Sequence, residues 1–206
     1  MVRKVEIMDT TLRDGEQTSG MSFSSSEKLT IAKLLLEELK VDRIEIASAR
    51  VSDGEFTAVK NITNWAKENN YLDKVEVLTF LDNGISINWL SDSGAKVQNL
   101  LTKGSINHLK YQIKKTPKEH FNDVYNSVHY GRKLKIDTNV YLEDWSNGMR
   151  NSPDYVFEYL DFLSTLPIKR VLLPDTLGVL SPDETCNYLS VIINKYPNIH
   201  FDFHAH

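Results

Sequence analysis

The chain has 206 residues, 24 basic and 28 acidic side chains, and a formal net charge of −4. Hydrophobic residues make up 41% and charged residues 25%, enough apolar chain for one large core and too much for a disordered segment. The mild acidity excludes the basic excess of a nucleic-acid or anionic-membrane binder, and no stretch reaches the roughly 18 apolar residues of a membrane span. The start, MVRKVEIMDTT, has no apolar signal-peptide core, and the single cysteine, Cys186, cannot form an internal disulfide. The expectation is a soluble cytoplasmic protein.

Short β-branched runs alternate with longer amphipathic stretches along the whole chain. Strands are expected at residues 5–11, 43–48, 74–81, 96–102, 135–143, 169–176 and 200–206. Helical patterns fill the gaps at 28–39, 55–69, 85–93, 117–133, 153–164 and 182–195. The first of these carries Leu29, Ile31, Leu34, Leu35, Leu36 and Leu39 as its apolar face. Ser152-Pro153 and Ser181-Pro182 each place a capping hydroxyl before a proline suited to the first helical position.

Seven strand–helix alternations without a linker describe one α/β domain, residues 1–206, built on a parallel sheet. Polar groups recur at the C-terminal ends of several strands, where a (β/α)8 barrel places its site; an open sheet concentrates its site at one switch point. Neither a dinucleotide-binding nor a P-loop glycine pattern occurs. A TIM barrel is therefore expected, truncated after about seven strands, because closure needs eight strands and about 250 residues.

Four clusters carry the chemistry. In Phe203-His204-Ala205-His206, residues two apart on a strand point the same way, so both imidazoles enter one space. Two histidines and a carboxylate form a facial ligand set for a divalent metal. The segment Asp9-Thr10-Thr11-Leu12-Arg13-Asp14-Gly15-Glu16-Gln17 offers Asp14 as that carboxylate, Arg13 as a fixed cation for oxyanion character, and Asp9 as support from deeper in the strand. Its plain alternative is a solvated, capped turn. Tyr141 and Glu143 share one strand face, and Glu143 reads as a general base, an orienting partner for Arg13, or a structural ion pair. Thr176 ends the sixth strand, placed either to hold a substrate carboxylate or to cap a helix. Cys186 reads as a packing residue; His108, His120, His129 and His200 lack ligand spacing and read as surface or structural groups.

Taken together, Leu12-Arg13-Asp14-Gly15-Glu16-Gln17, Lys28 eleven residues later, and His204-Ala205-His206 resemble the family of 2-isopropylmalate, homocitrate and citramalate synthases. These are metal-dependent TIM-barrel enzymes of carbon–carbon bond formation, and the resemblance covers essentially the whole chain. It implies that Asp14, His204 and His206 bind a divalent cation (Mg2+, Mn2+ or Zn2+). It further implies that Thr176 holds the carboxylate of a 2-oxo acid, that Arg13 stabilises its ketone oxygen, and that Glu143 supports Arg13 or assists proton removal. Acetyl-CoA is the implied co-substrate. A further asparagine ligand, C-terminal subdomains that act across a homodimer, and regulatory domains are also family features, and none falls within these 206 residues.

The resemblance implies a substrate pocket at Leu78, Phe80, Leu101 and Tyr141, with plain core packing as the alternative for each leucine. These are bulky and uncharged, which disfavours the distal carboxylate of 2-oxoglutarate. They leave room for a methyl group, so the resemblance is closest to citramalate synthase acting on pyruvate. The near alternatives are 2-isopropylmalate synthase using 2-oxoisovalerate, and a metal-dependent acyl-CoA lyase of the same barrel group.

Overall fold

A computed structural model describes residues 5–206; residues 1–4, part of the start read above for a targeting segment, lie outside them. The strands are β1 (Met8–Asp9), β2 (Arg43–Ser48), β3 (Val75–Phe80), β4 (Val97–Lys103), β5 (Asp137–Glu143), β6 (Arg170–Asp175) and β7 (His200–Ala205). The helices are α1 (Ser25–Lys33), α2 (Asp53–Glu68), α3 (Ile85–Asp92), α4 (Ile106–Tyr111), α5 (Pro117–Lys133), α6 (Trp145–Asn151), α7 (Pro153–Leu163) and α8 (Pro182–Lys195). Strand order in the sheet follows the sequence, β1 to β7. This is the parallel β/α succession of a (β/α)8 barrel, present here through its seventh strand. No helix among the described residues is long and apolar enough to cross a membrane.

The chain divides into two compact units, one reaching to Asn99 and including Leu134–Ile136, the other comprising Leu100–Lys133 and Asp137–His206. In the first, β1, β2 and β3 pair in parallel, with a register shift between Glu45 and Ala47. On β2, Ile44 and Ile46 are fully buried, while the alternate positions Arg43 and Glu45 put charge on the other face. Both charges are buried as well, and are matched by partners: Arg43 donates to Glu76 at 3.0 Å, and Asn99 donates to Glu45 at 2.7 Å. Burial pushes the Glu76 carboxyl above its ordinary pKa, with Arg43 pulling the other way. Ser52 caps α2 by accepting from the Glu55 amide, and Ala58, Val59, Ile62, Thr63 and Ala66 form its buried stripe.

In the second unit β5, β6 and β7 pair in parallel without irregularity, Pro174 lying opposite His204. Helix α7 repeats the burial spacing of α2 with Tyr155, Val156, Tyr159, Leu160 and Leu163. Its two tyrosines enter a polar chain inside the core. Tyr159 donates to Thr102 (2.8 Å), Thr102 to the Tyr141 carbonyl (2.6 Å), and Tyr155 to the Lys103 carbonyl (2.8 Å). His120, fully buried, accepts the Lys103 amide. Burial pushes its pKa down to about 4, opposed by the Asp123 carboxylate. The folded protein therefore holds His120 neutral, and the unfolded chain takes up a proton first as pH falls below about 6.5. Stability contributed by the neutral ring is whole above that pH and lost between it and about 4, amounting to about 3 kcal/mol. Urea unfolding at a series of pH values is expected to show this loss in wild type and a flatter profile in His120→Asn.

Several sequence expectations are corrected. The first strand is two residues, not seven, because Val5 and Ile7 are exposed and the chain turns at once after Asp9. The first helix starts earlier, where Ser24 and Glu27 form a capping box, and its end widens into a π-helical turn over Leu34–Glu38. That turn buries Leu35 and Leu36 but leaves Leu34 and Leu39 exposed, so the expected leucine face is split. Ser181 caps α8 in a capping box as expected. Ser152 makes no side-chain cap; its hydroxyl accepts the Ile106 amide instead. Cys186 is exposed and so does not pack. The short helices α4 and α6 were not anticipated. Asp144, just before α6, has φ of +65°, and α6 lies so close to the end of β4 that a Cβ at Gly148 would stand 2.1 Å from the Gly104 carbonyl oxygen.

Candidate active site

The residues singled out from the sequence fall at strand ends in both units. In the first unit, the three amides of Arg13, Asp14 and Gly15 all donate to the Thr10 carbonyl at 2.8–3.2 Å, winding the chain into a tight turn directly after β1. The turn leaves Arg13 only 10% exposed at its side chain. Its Nε and Nη2 both reach one oxygen of Glu45 at 2.6 Å, and its Nη1 reaches Asp14 at 2.9 Å. The other Glu45 oxygen is occupied by Asn99. Arg13 is thus a cation in a fixed orientation, held by a carboxylate that is itself fully buried and fully bonded. Asp9 turns back to the Thr11 amide at 2.9 Å and stays a local turn residue. A cleft of about 700 Å3 opens beside Arg13, lined among others by Leu12, Gln17, Ser48, Val51 and Ser52. Leu78 and Phe80 share one face of β3, Leu78 buried and Phe80 half-buried.

In the second unit, Leu101 and Lys103 share a face of β4, and Tyr141 and Glu143 share a face of β5. Lys103 is paired with Glu143, with Gln112 also accepting from it at 2.9 Å. The carboxylate expected to serve Arg13 therefore has a cation of its own, and Arg13 has Glu45. Thr176 uses its hydroxyl oxygen to accept the Asp144 amide at 2.9 Å, which joins the ends of β5 and β6. Asp144 extends that junction by accepting from Ser105 (2.6 Å) and Asn147 (2.7 Å). The neighbouring Asp175 carboxylate is raised by burial but ends below its ordinary pKa, the Leu180 amide being the strongest of the several groups that lower it.

His204 on β7 and His206, one residue past its end, have their Nε2 atoms 3.2 Å apart. Two metal–nitrogen bonds of about 2.1 Å enclosing an angle of about 100° span that distance, so the pair suits one divalent ion in octahedral or tetrahedral geometry. The Tyr141 ring stands edge-on to His204 at 6.2 Å. Behind His206, Gly178 has φ of +60°, and a Cβ there would approach the His206 carbonyl oxygen to 2.8 Å. Only glycine meets both conditions, so this turn seats directly against the histidine backbone.

Sequence reasoning missed Glu45, Lys103 and Asp144. For Glu45 the signal lay in the alternation of Arg43-Ile44-Glu45-Ile46: a strand with both Ile residues buried on one face presents its charges together on the other. Lys103, two residues beyond Leu101, carried the same signal. Asp144 carried none, since its role arises from three loops meeting.

Residues 4–206 match the HMGL-like family. The chain belongs to that family. Among curated relatives, the 2-isopropylmalate synthase of Sulfolobus acidocaldarius is 32% identical over 206 residues, covering 99% of this chain and 51% of the relative. The 2-isopropylmalate synthase of Pyrococcus furiosus is 32% identical over 209 residues, covering 100% of the chain and 41% of that protein. The chain thus spans about half, or less, of the length of these relatives. Among solved structures, the HMG-CoA lyase of Bacillus subtilis superposes with a TM-score of 0.73 at 19% identity, over 98% of this chain and 68% of that one. An HMG-CoA lyase from Acinetobacter baumannii, solved in complex with coenzyme A and 3-methylmalate, gives 0.71 at 19% identity, over 98% and 66%. These likenesses establish the barrel fold.

Proposed function

We propose that the protein carrying this chain condenses acetyl-CoA with a small 2-oxo acid, most closely as a citramalate synthase acting on pyruvate. The observation that carries the reading is the pair of imidazole nitrogens of His204 and His206, 3.2 Å apart at the end of β7, in a chain that also holds Arg13 rigidly between two carboxylates. Asp14, His204 and His206 are the proposed ligands of a divalent cation, one carboxylate and two imidazoles being the donor set that Mg2+, Mn2+ or Zn2+ accepts. When bound, such an ion supplies Lewis acidity to the ketone of the 2-oxo acid.

The chain's own groups do the remaining work. Arg13, already aligned by Glu45, donates toward the ketone oxygen as negative charge grows there, and no side chain has to reorganise. Thr176 accepts the Asp144 amide and so keeps its own proton available for the substrate carboxylate. Glu143, paired with Lys103, is the proposed acceptor of a proton from the acetyl methyl group. The cleft beside Arg13 is roomy enough for a small thioester arm. A homodimer and a cytoplasmic location belong to the same reading.

The choice of pyruvate rests on Leu78 and Tyr141, both buried, together with Leu101 and Phe80. The names of the curated relatives favour a second reading, 2-isopropylmalate synthase with 2-oxoisovalerate. Thiol release from acetyl-CoA, measured on the whole protein with each 2-oxo acid, separates the two. A methyl-sized pocket gives pyruvate a kcat/KM advantage of about 10- to 200-fold. An advantage for 2-oxoisovalerate establishes the second reading, and no thiol release with either removes both.

A further inference from the structure

Lys28 is a fully buried lysine on α1, and its ammonium has an acceptor for each of its three protons. It donates to the Leu12 carbonyl at 3.1 Å, to Glu16 at 2.6 Å and to Glu55 on α2 at 2.6 Å. The Leu12 carbonyl belongs to the peptide bond that leads into Arg13, and Glu16 lies two residues beyond Asp14. The dipeptide Arg13–Asp14 is therefore suspended between two points gripped by the same ammonium. Glu16 is fixed further through its second oxygen, which accepts the Phe23 amide at 2.8 Å. Glu55, at the capped start of α2, ties the assembly to the helix beside it.

Stability alone does not call for this arrangement, because apolar side chains of similar volume commonly replace a buried ion pair at no loss. What an apolar replacement lacks is direction: it cannot hold a particular carbonyl and two particular carboxylates at fixed distances. We propose that Lys28 is a positioning residue, which sets the placement of Arg13 and Asp14 by clamping the turn at both ends. The inference rests on the reading of Asp14 as a metal ligand and adds a group acting through it, without touching substrate or ion.

The test is Mn2+ affinity, read as free Mn2+ by electron paramagnetic resonance on wild type, Asp14→Asn, Lys28→Met and the double variant Lys28→Met/Glu55→Met. Thermal unfolding is followed in parallel. Wild type is expected to bind one Mn2+ and Asp14→Asn to lose it. Lys28→Met is expected to bind about 10- to 100-fold more weakly, the usual effect of removing a residue that supports a metal ligand. The double variant replaces the Lys28–Glu55 pair with apolar chains, and is expected to recover thermal stability while its Mn2+ affinity stays low. If Lys28→Met fails to fold, the double variant carries the same test. Recovery of affinity along with stability overturns the positioning role and leaves a packing one. Wild-type affinity in Lys28→Met, with binding lost in Asp14→Asn, overturns the clamp and spares the metal reading. Unchanged binding in Asp14→Asn overturns the metal reading and the clamp with it.

Discussion

Glu45→Ala is expected to lower the folding free energy by about 3–5 kcal/mol, the cost of stranding one partner of a buried ion pair. The reason lies in the arithmetic of partners. Both Glu45 oxygens are used, one by two nitrogens of Arg13 and the other by Asn99. Truncation leaves Arg13, 10% exposed, without its main counter-charge, and takes the Glu45 oxygen away from the buried Asn99 amide. Urea unfolding measures the loss. A double-mutant cycle with Arg13→Met isolates the pair itself: the double variant is expected to be more stable than Glu45→Ala alone, since it removes the stranded charge. A loss under 1 kcal/mol in the single variant contradicts the account of Arg13 as a cation held by burial and pairing.

Replacing His206 or His204 by alanine is expected to weaken Mn2+ binding by more than the roughly 10- to 100-fold that loss of a merely supporting residue produces. Each substitution removes one of three proposed ligands and breaks the 3.2 Å pair that makes the β7 face a chelate. Isothermal titration of each variant with Mn2+ checks it. His204 is half-buried and His206 exposed, so neither substitution empties the core and the folded variant remains measurable. Equal affinity in wild type and both variants sinks the proposed centre.

Much of the site was legible from residue order alone. The Arg13–Asp14 segment and the His204/His206 pair stand out because local rules suffice: a polar cluster directly after a strand, and two histidines forced to one face by the strand's two-residue period. The helix start at Ser181 was likewise local, since a capping hydroxyl and the amide that donates to it lie three residues apart. Ser152 shows the limit of that reasoning. It has the same Ser-Pro signature, yet its hydroxyl is taken by Ile106, 46 residues away.

Composition, alternation and motif spacing thus determined the parallel β/α order, the strand ends where the candidate groups cluster and the residue types found there. They did so because each depends on neighbours within a turn or two of the chain. Tertiary structure alone decided the partners: Glu45 for Arg13 across 32 residues, Lys103 for Glu143 across 40, and Asp144 for Thr176 across 32. It also decided which leucines of the first helix turn inward and why Gly148 and Gly178 admit no side chain. An ion pair's partner is fixed by what packing brings within about 3 Å and shields from water, and no local pattern encodes that encounter.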